Sequence, residues 1–203
     1  MMPIYSQVLG EEFNQLHPML QQRYKHIEKE PYEGSGVMKR ISRGPKWMSP
    51  LMMMGTRRKL LFPEKGTFIP FTIKHKPQTG EAGEDQVHWE RVFYFKGKKR
   101  YFNALMSLDS ERGIIKDYLG EPSVMYSDLA LTVLENGGLH IQSKRQRVVL
   151  GEKEIPLPRF LQGVATVVET FNDERNVYEI KVSVQNPIMG TIFSYEGEFT
   201  EDA

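Results

Sequence analysis

The 203-residue chain contains no cysteine. That excludes thiolate nucleophiles, disulfide staples, cysteine-ligated zinc and CxxC redox pairs. An excess of either charge is also lacking: 27 Lys and Arg face 26 Asp and Glu, a formal net charge of +1. So balanced a chain has no global attraction to nucleic acid or to anionic membranes, and nucleic acid is not an expected partner. No apolar run approaches the ~20 residues that cross a bilayer as a helix, so no transmembrane segment is expected. The opening residues, MMPIYSQVLGEEF, lack the basic and apolar regions of a signal peptide, which points to the cytoplasm. A Walker loop, HExxH, GxSxG and a GxGxxG after a strand are all missing, so the motifs supply no catalytic residue and no cofactor. What is present is an ordinary globular composition, 39% apolar and 26% charged, enough for one core.

The hydrophobic pattern changes along the chain. Ile4, Val8, Leu9, Phe13, Leu16, Leu20 and Tyr24 recur at helical spacing, predicting a helical part over 4–26. Pro18 cannot donate an interior hydrogen bond, so a break is expected at Leu16–Pro18, with Pro18 restarting the helix in its first turn. A first strand is expected over 34–43. Residues 45–62 are dense in Trp47, Met48, Leu51, Met52, Met54, Leu60 and Leu61 without alternation, and read as a helical insert interrupted at Pro50 or Gly55. Core filling accounts for such Met residues, and so does an adaptable apolar surface.

After Thr67 the pattern is that of β-structure, with candidate strands at 67–75, 87–95, 99–108, 113–119, 125–134, 139–149, 164–171, 177–185 and 191–199. Short turn signals such as Lys96-Gly97-Lys98 and Asn136-Gly137-Gly138 join them, which implies antiparallel pairing. The segment 151–163 reads as a loop with a short helical turn. The expected fold is α+β but mostly β. One domain, 1–203, forms an antiparallel meander of about 8–10 strands, barrel-like or strongly curved, with N-terminal helices packed on it. A barrel of that size either fills with side chains or holds a small ligand, as lipocalins do.

Two charged residues interrupt apolar faces. In Val87–Phe95, the residues Val87, Trp89, Arg91, Phe93 and Phe95 share a face, with Arg91 in the middle. In Gly163–Phe171, Ala165, Val167, Glu169 and Phe171 share a face, interrupted by Glu169. A guanidinium cannot shed its charge, so a buried Arg91 needs a partner. Either Arg91 and Glu169 pair with each other, or Arg91 snorkels to the rim of the sheet, or the two anchor the polar head of a ligand. His75, His88 and Glu90 would meet as a metal site only if the hairpin register put both histidines on one surface; no metal is expected. Basic clusters stand at Arg57-Arg58-Lys59 and Lys96–Arg100, and acidic ones at Glu81–Asp85 and Glu196–Asp202. The Arg57 group, beside the Met-rich stretch, could face a membrane surface, but a solvated helix end whose cations favour the C-terminal dipole is the better account.

The order of landmarks is distinctive. It runs from Leu9-Gly10 and Leu16-His17-Pro18 through Trp89-x-Arg91-x-Phe93, Gly137-Gly138-Leu139 and Ile155-Pro-Leu-Pro158. Glu169, Pro187-x-x-Gly190 and Tyr195-x-Gly197 follow. In this the chain resembles a bacterial family of unassigned function, whose domain occurs alone or C-terminal to a saccharopine-dehydrogenase-like NADP-binding region. The resemblance implies Arg91 and Glu169 at motif positions and supplies no reaction. The expected role is non-catalytic binding of a small amphipathic or lipid-like ligand in an apolar cavity formed by Trp89, Phe93 and Met52, its head fixed by Arg91 and Glu169. Two alternatives stand beside it: an enzyme domain working with a dehydrogenase partner, and a protein-interaction module using the Met-rich helical surface.

Overall fold

A computed structural model describes residues 4–27, 29–151 and 153–202. Twelve antiparallel strands run through them: β1 (Tyr32–Arg43), β2 (Gly66–Thr79), β3 (Asp85–Phe95), β4 (Lys98–Tyr101), β5 (Ala104–Asp109), β6 (Ile114–Leu119), β7 (Met125–Val133), β8 (Leu139–Leu150), β9 (Lys153–Pro156), β10 (Val164–Asn172), β11 (Val177–Asn186) and β12 (Gly190–Glu201). Ten of them close into a barrel in the order β1-β2-β3-β5-β6-β7-β8-β10-β11-β12, with β12 returning to β1. The short strands β4 and β9 extend this ring by pairing with β3 and β8. Apart from β4 and β9, which fold back on the strand before them, every neighbour in the ring is the next strand in sequence except at the β12–β1 seam, so the expected meander is the observed one.

The expected 99–108 strand is split into β4 and β5 around Phe102, which lines the interior, and Asn103, both of them buried. β9 arises inside the segment expected to be a loop. Glycines make the seam tight. A Cβ at Gly36 would lie 2.0 Å from the Glu198 carbonyl oxygen, and one at Gly197 would lie 2.3 Å from that of Val37. Only hydrogen at both positions lets β1 and β12 approach this closely.

Three helices complete the fold: α1 (Ile4–Leu9), α2 (Pro18–His26) and α3 (Ser49–Thr56). Between α1 and α2 the chain tightens into a 3-10 turn over Gly10–Gln15, entered through Gly10 at φ +56°. The expected break falls at Leu16–His17, and Pro18 opens α2, where its missing N–H is no loss. The His17 ring accepts from the Met19 amide as the cap, and its backbone N–H donates to Gly137 in the β7–β8 turn. The two N-terminal helices therefore close one end of the barrel, burying Ile4, Tyr5, Leu20 and Tyr24. Pro50 sits in the first turn of α3 rather than breaking it.

At the other end the insert 44–65 folds over the strands. Phe62 is fully buried there against Phe93, Phe95 and Phe193. Burial of this aromatic layer contributes on the order of 2–3 kcal/mol per ring, before entropy is counted. Among the described residues no helix is long and apolar enough to cross a membrane.

Candidate functional site

Alternation along the strands sends one set of side chains into the barrel. From β3 these are Val87, Trp89, Arg91 and Phe93; from β6, Ile115, Asp117 and Leu119; from β10, Glu169. Between them lies a cavity lined by Trp89, Arg91, Phe102, Asp117, Ser143 and Glu169, with aliphatic side chains filling the remaining wall. The space open to the centre of a water molecule is about 40 Å³. That is room for roughly three waters at about 10–15 Å³ each. Most of the barrel interior is thus packed side chain.

Arg91 and Asp117 face this cavity without touching. Arg91 is 6% exposed; its Nη1 donates to the Tyr195 hydroxyl at 3.3 Å, and its guanidinium lies 4.4 Å from the Phe102 ring centre. Its Nε has no hydrogen-bond partner among the described residues, nor has Asp117 Oδ1. Burial pushes the Asp117 carboxyl up to about 6, against the opposing pull of the Arg91 charge. The Trp89 indole N–H and Glu169 Oε1 are likewise buried without partners. An unsatisfied buried polar atom costs about 1–3 kcal/mol, so four of them around one small space is an unusual arrangement.

Glu169 pairs with neither Arg91 nor solvent. Its Oε2 accepts from the Arg23 guanidinium and, at 2.7 Å, from the Tyr24 hydroxyl, both delivered by α2 through the capped barrel end. Arg23 is 1% exposed and surrounded by rings: its guanidinium carbon lies 4.9 Å from the ring centres of Tyr24 and Tyr178 and 5.2 Å from Phe199. Burial opposes that charge, but Glu169 and the surrounding tyrosines outweigh it and hold Arg23 above its usual range. The helix that closes the barrel is therefore fastened to β10 by a buried ion pair.

Of the residues singled out in the sequence, Arg91, Glu169 and Trp89 line the cavity together. Phe93 and Met52 do not. Phe93 packs in the aromatic layer with Phe62 and Phe71, and Met52 is a buried residue of α3. Arg23 and Asp117 went unrecognised. Asp117 carries the same signal as Glu169, a charge inside the alternating row Ile115-x-Asp117-x-Leu119. Arg23 sits one residue off the apolar helix stripe, next to Tyr24, and its burial is decided by where the helix docks.

The histidine pair separates. The β2–β3 register sets His75 opposite Trp89 and Lys76 opposite His88, so the two rings point to opposite sides of the sheet. His75 lies inside, 3.8 Å from the Trp89 ring centre, and burial drives its pKa well below the usual value. His88 lies outside, its Nε2 2.6 Å from Glu121 Oε1. Glu121 also accepts from Asn103 and Lys59; burial works against its charge, but these three partners hold its carboxyl down at about 2. No cluster of three metal-ligating side chains forms among the described residues.

The comparisons with known proteins agree with one another. The chain is 38% identical over 190 residues to the uncharacterized protein YndH of Bacillus subtilis (strain 168), covering 94% of this chain and 93% of that one. That relative therefore consists of little beyond this domain. Residues 16–199 match the model of a domain of unknown function, DUF4166. A match over nearly the whole barrel, together with α2 and its buried Arg23, places this chain in the DUF4166 family.

Proposed function

We propose that the barrel binds a small amphipathic molecule, its polar head held between Arg91 and Asp117 and its apolar part against Trp89 and Phe102. One observation carries this reading: a cation and a carboxyl face the same cavity, each with an unpartnered buried atom, and do not pair with each other. A ligand with a donor for Asp117 and an acceptor for Arg91 recovers the hydrogen bonds both groups lack. Glu169, held by Arg23, adds an acceptor at Oε1. Phe93 packs against Tyr195, which accepts from Arg91, and Met52 stands outside the cavity wall. The 40 Å³ space favours a compact head group. A lipid-like ligand with a long chain requires interior side chains to move aside.

A second reading has its own support. A carboxyl poised near 6 beside an arginine in a closed site is suited to moving a proton, so an enzymatic role would be centred on Asp117. Native mass spectrometry of the protein purified from its host separates these readings from a filled, ligand-free barrel. The expected result is a small non-covalent adduct on the parent protein that disappears in Arg91→Met while the fold persists. A bare mass for the parent at all ion energies, with Arg91→Met as stable as the parent, overturns the binding reading.

A further inference from the structure

The net charge of +1 conceals a strong separation of charge along the barrel axis. The segments joining ring strands at the end opposite the N-terminal helices, 44–65, 96–103 with β4, 120–124 and 153–163 with β9, hold eleven Lys or Arg and three Asp or Glu. The turns at the helical end, 80–84, 110–113, 134–138 and 173–176, hold two Lys or Arg and six Asp or Glu. The same basic end carries most of the large apolar side chains left in solvent. On α3 and the turn before it, Trp47, Leu51 and Met54 recur at helical spacing and are 67%, 63% and 68% exposed. Ile188, in the β11–β12 turn, and Phe160 are exposed beside them along the rim, where Asn186 ties the two loops together through the Phe160 carbonyl.

A further aromatic stands at this end under backbone strain. Phe68 is 75% exposed and adopts φ +53°, at a place where the β1–β2 ladder skips from Thr67 to Ile69. A bulky residue in the left-handed region is uncommon, and here it presents a ring to solvent rather than to the core.

We propose that this rim docks on an anionic lipid bilayer, with Trp47, Leu51, Met54 and Phe68 entering the interface and the surrounding Lys and Arg meeting headgroups. Apolar side chains scattered over several projecting loops suit a deformable medium better than a rigid partner surface. The ring of long lysines (Lys46, Lys96, Lys98, Lys99) argues the same way, because lysine is depleted at protein–protein interfaces and attracted to anionic headgroups. Opposite charge at the far end orients the barrel axis along the membrane normal, helices outward.

The test is co-sedimentation of the full chain with vesicles of phosphatidylcholine alone and with phosphatidylcholine containing phosphatidylglycerol. The tryptophans provide the depth readout. Trp47 is exposed and Trp89 is 3% exposed, so acyl-brominated phosphatidylglycerol should quench the first and spare the second. Binding is expected only to the anionic vesicles, falling at least about tenfold in Trp47→Ser/Leu51→Ser and by a similar factor in Lys98→Glu/Lys99→Glu. Both variants change exposed side chains and should melt with the parent. Equal binding to neutral vesicles, no binding to anionic ones, or binding indifferent to Trp47→Ser/Leu51→Ser each overturns the proposal. A lipid-free dimer that Leu51→Ser dissolves does so too, since it would assign the rim to a second copy of the chain.

Discussion

Replacing Asp117 with Asn should make this protein more stable, and the gain should depend on pH in a defined way. Burial raises the Asp117 carboxyl from an ordinary 3.8 to about 6. Between those values the folded chain holds a proton that the unfolded chain has released, so stability falls as pH rises through this window. The contribution is fully present below about pH 4 and is lost once pH passes about 6. A rise of roughly two units corresponds to about 3 kcal/mol, at about 1.4 kcal/mol per unit. The amide cannot ionise and escapes the loss. Asp117→Asn is therefore expected to match the parent near pH 4 and to exceed it by about 2–3 kcal/mol at pH 7.5, on the order of 5–10 °C in Tm for a chain of this size. Urea unfolding followed by tryptophan fluorescence at half-unit pH steps reads the difference directly, and comparison with the parent cancels every other titrating group. Parallel pH profiles for the two proteins, or a less stable Asp117→Asn at pH 7.5, would refute the argument. Either result would mean that the carboxylate is satisfied inside the barrel, with Arg91 as the available partner. The stabilising direction also bears on function, since a residue that lowers stability where it stands is typical of a site kept for binding or chemistry.

Two further perturbations address the frame around the cavity. Arg23→Met leaves Glu169 buried without its cation and should cost about 3–5 kcal/mol, whereas Arg23→Met/Glu169→Leu should recover most of that; a double mutant as unstable as the single would show that the cost comes from the lost packing of Arg23 against its rings rather than from an orphaned carboxylate. Gly36→Ala forces a methyl into the Glu198 carbonyl and should destabilise by roughly 3 kcal/mol; thermal melting within 2 °C of the parent, a shift corresponding to roughly 0.5–1 kcal/mol, would mean that the β1–β12 seam spreads easily.

The fold was legible in the sequence because strand signals are local. Alternation in Val87–Phe95 and Val164–Phe171, with Gly-rich turns between short strands, is enough to specify an antiparallel meander and which face each residue takes. Arg91 and Glu169 announced themselves as charges on apolar faces. What the sequence withheld was mostly pairing at a distance. Whether Glu169 meets Arg91 or Arg23 depends on where α2 docks, more than 140 residues away along the chain. The separation of His75 from His88 depends on a hairpin register that a one-residue slip would reverse. Asp117 was legible by the rule that found Glu169. The charge polarity of the barrel was hidden differently: it appears only after alternate connections have been sorted to opposite ends, which needs the topology first.

The seam that those glycines permit also dictates when the ring can shut. Gly34 meets Glu201 and Arg43 meets Phe193, so β1 waits for a strand encoded after all the others before its second edge is covered. Until then the growing sheet is a curled ribbon with two open borders and an aromatic interior facing water, and such non-local closure makes folding slow. Shortening the chain before Gly190 would leave β1 and β11 permanently unpaired on one side, offering both as templates for edge-to-edge aggregation. The barrel is thus an all-or-nothing object: no shorter stretch of strands can stand in for the whole circle.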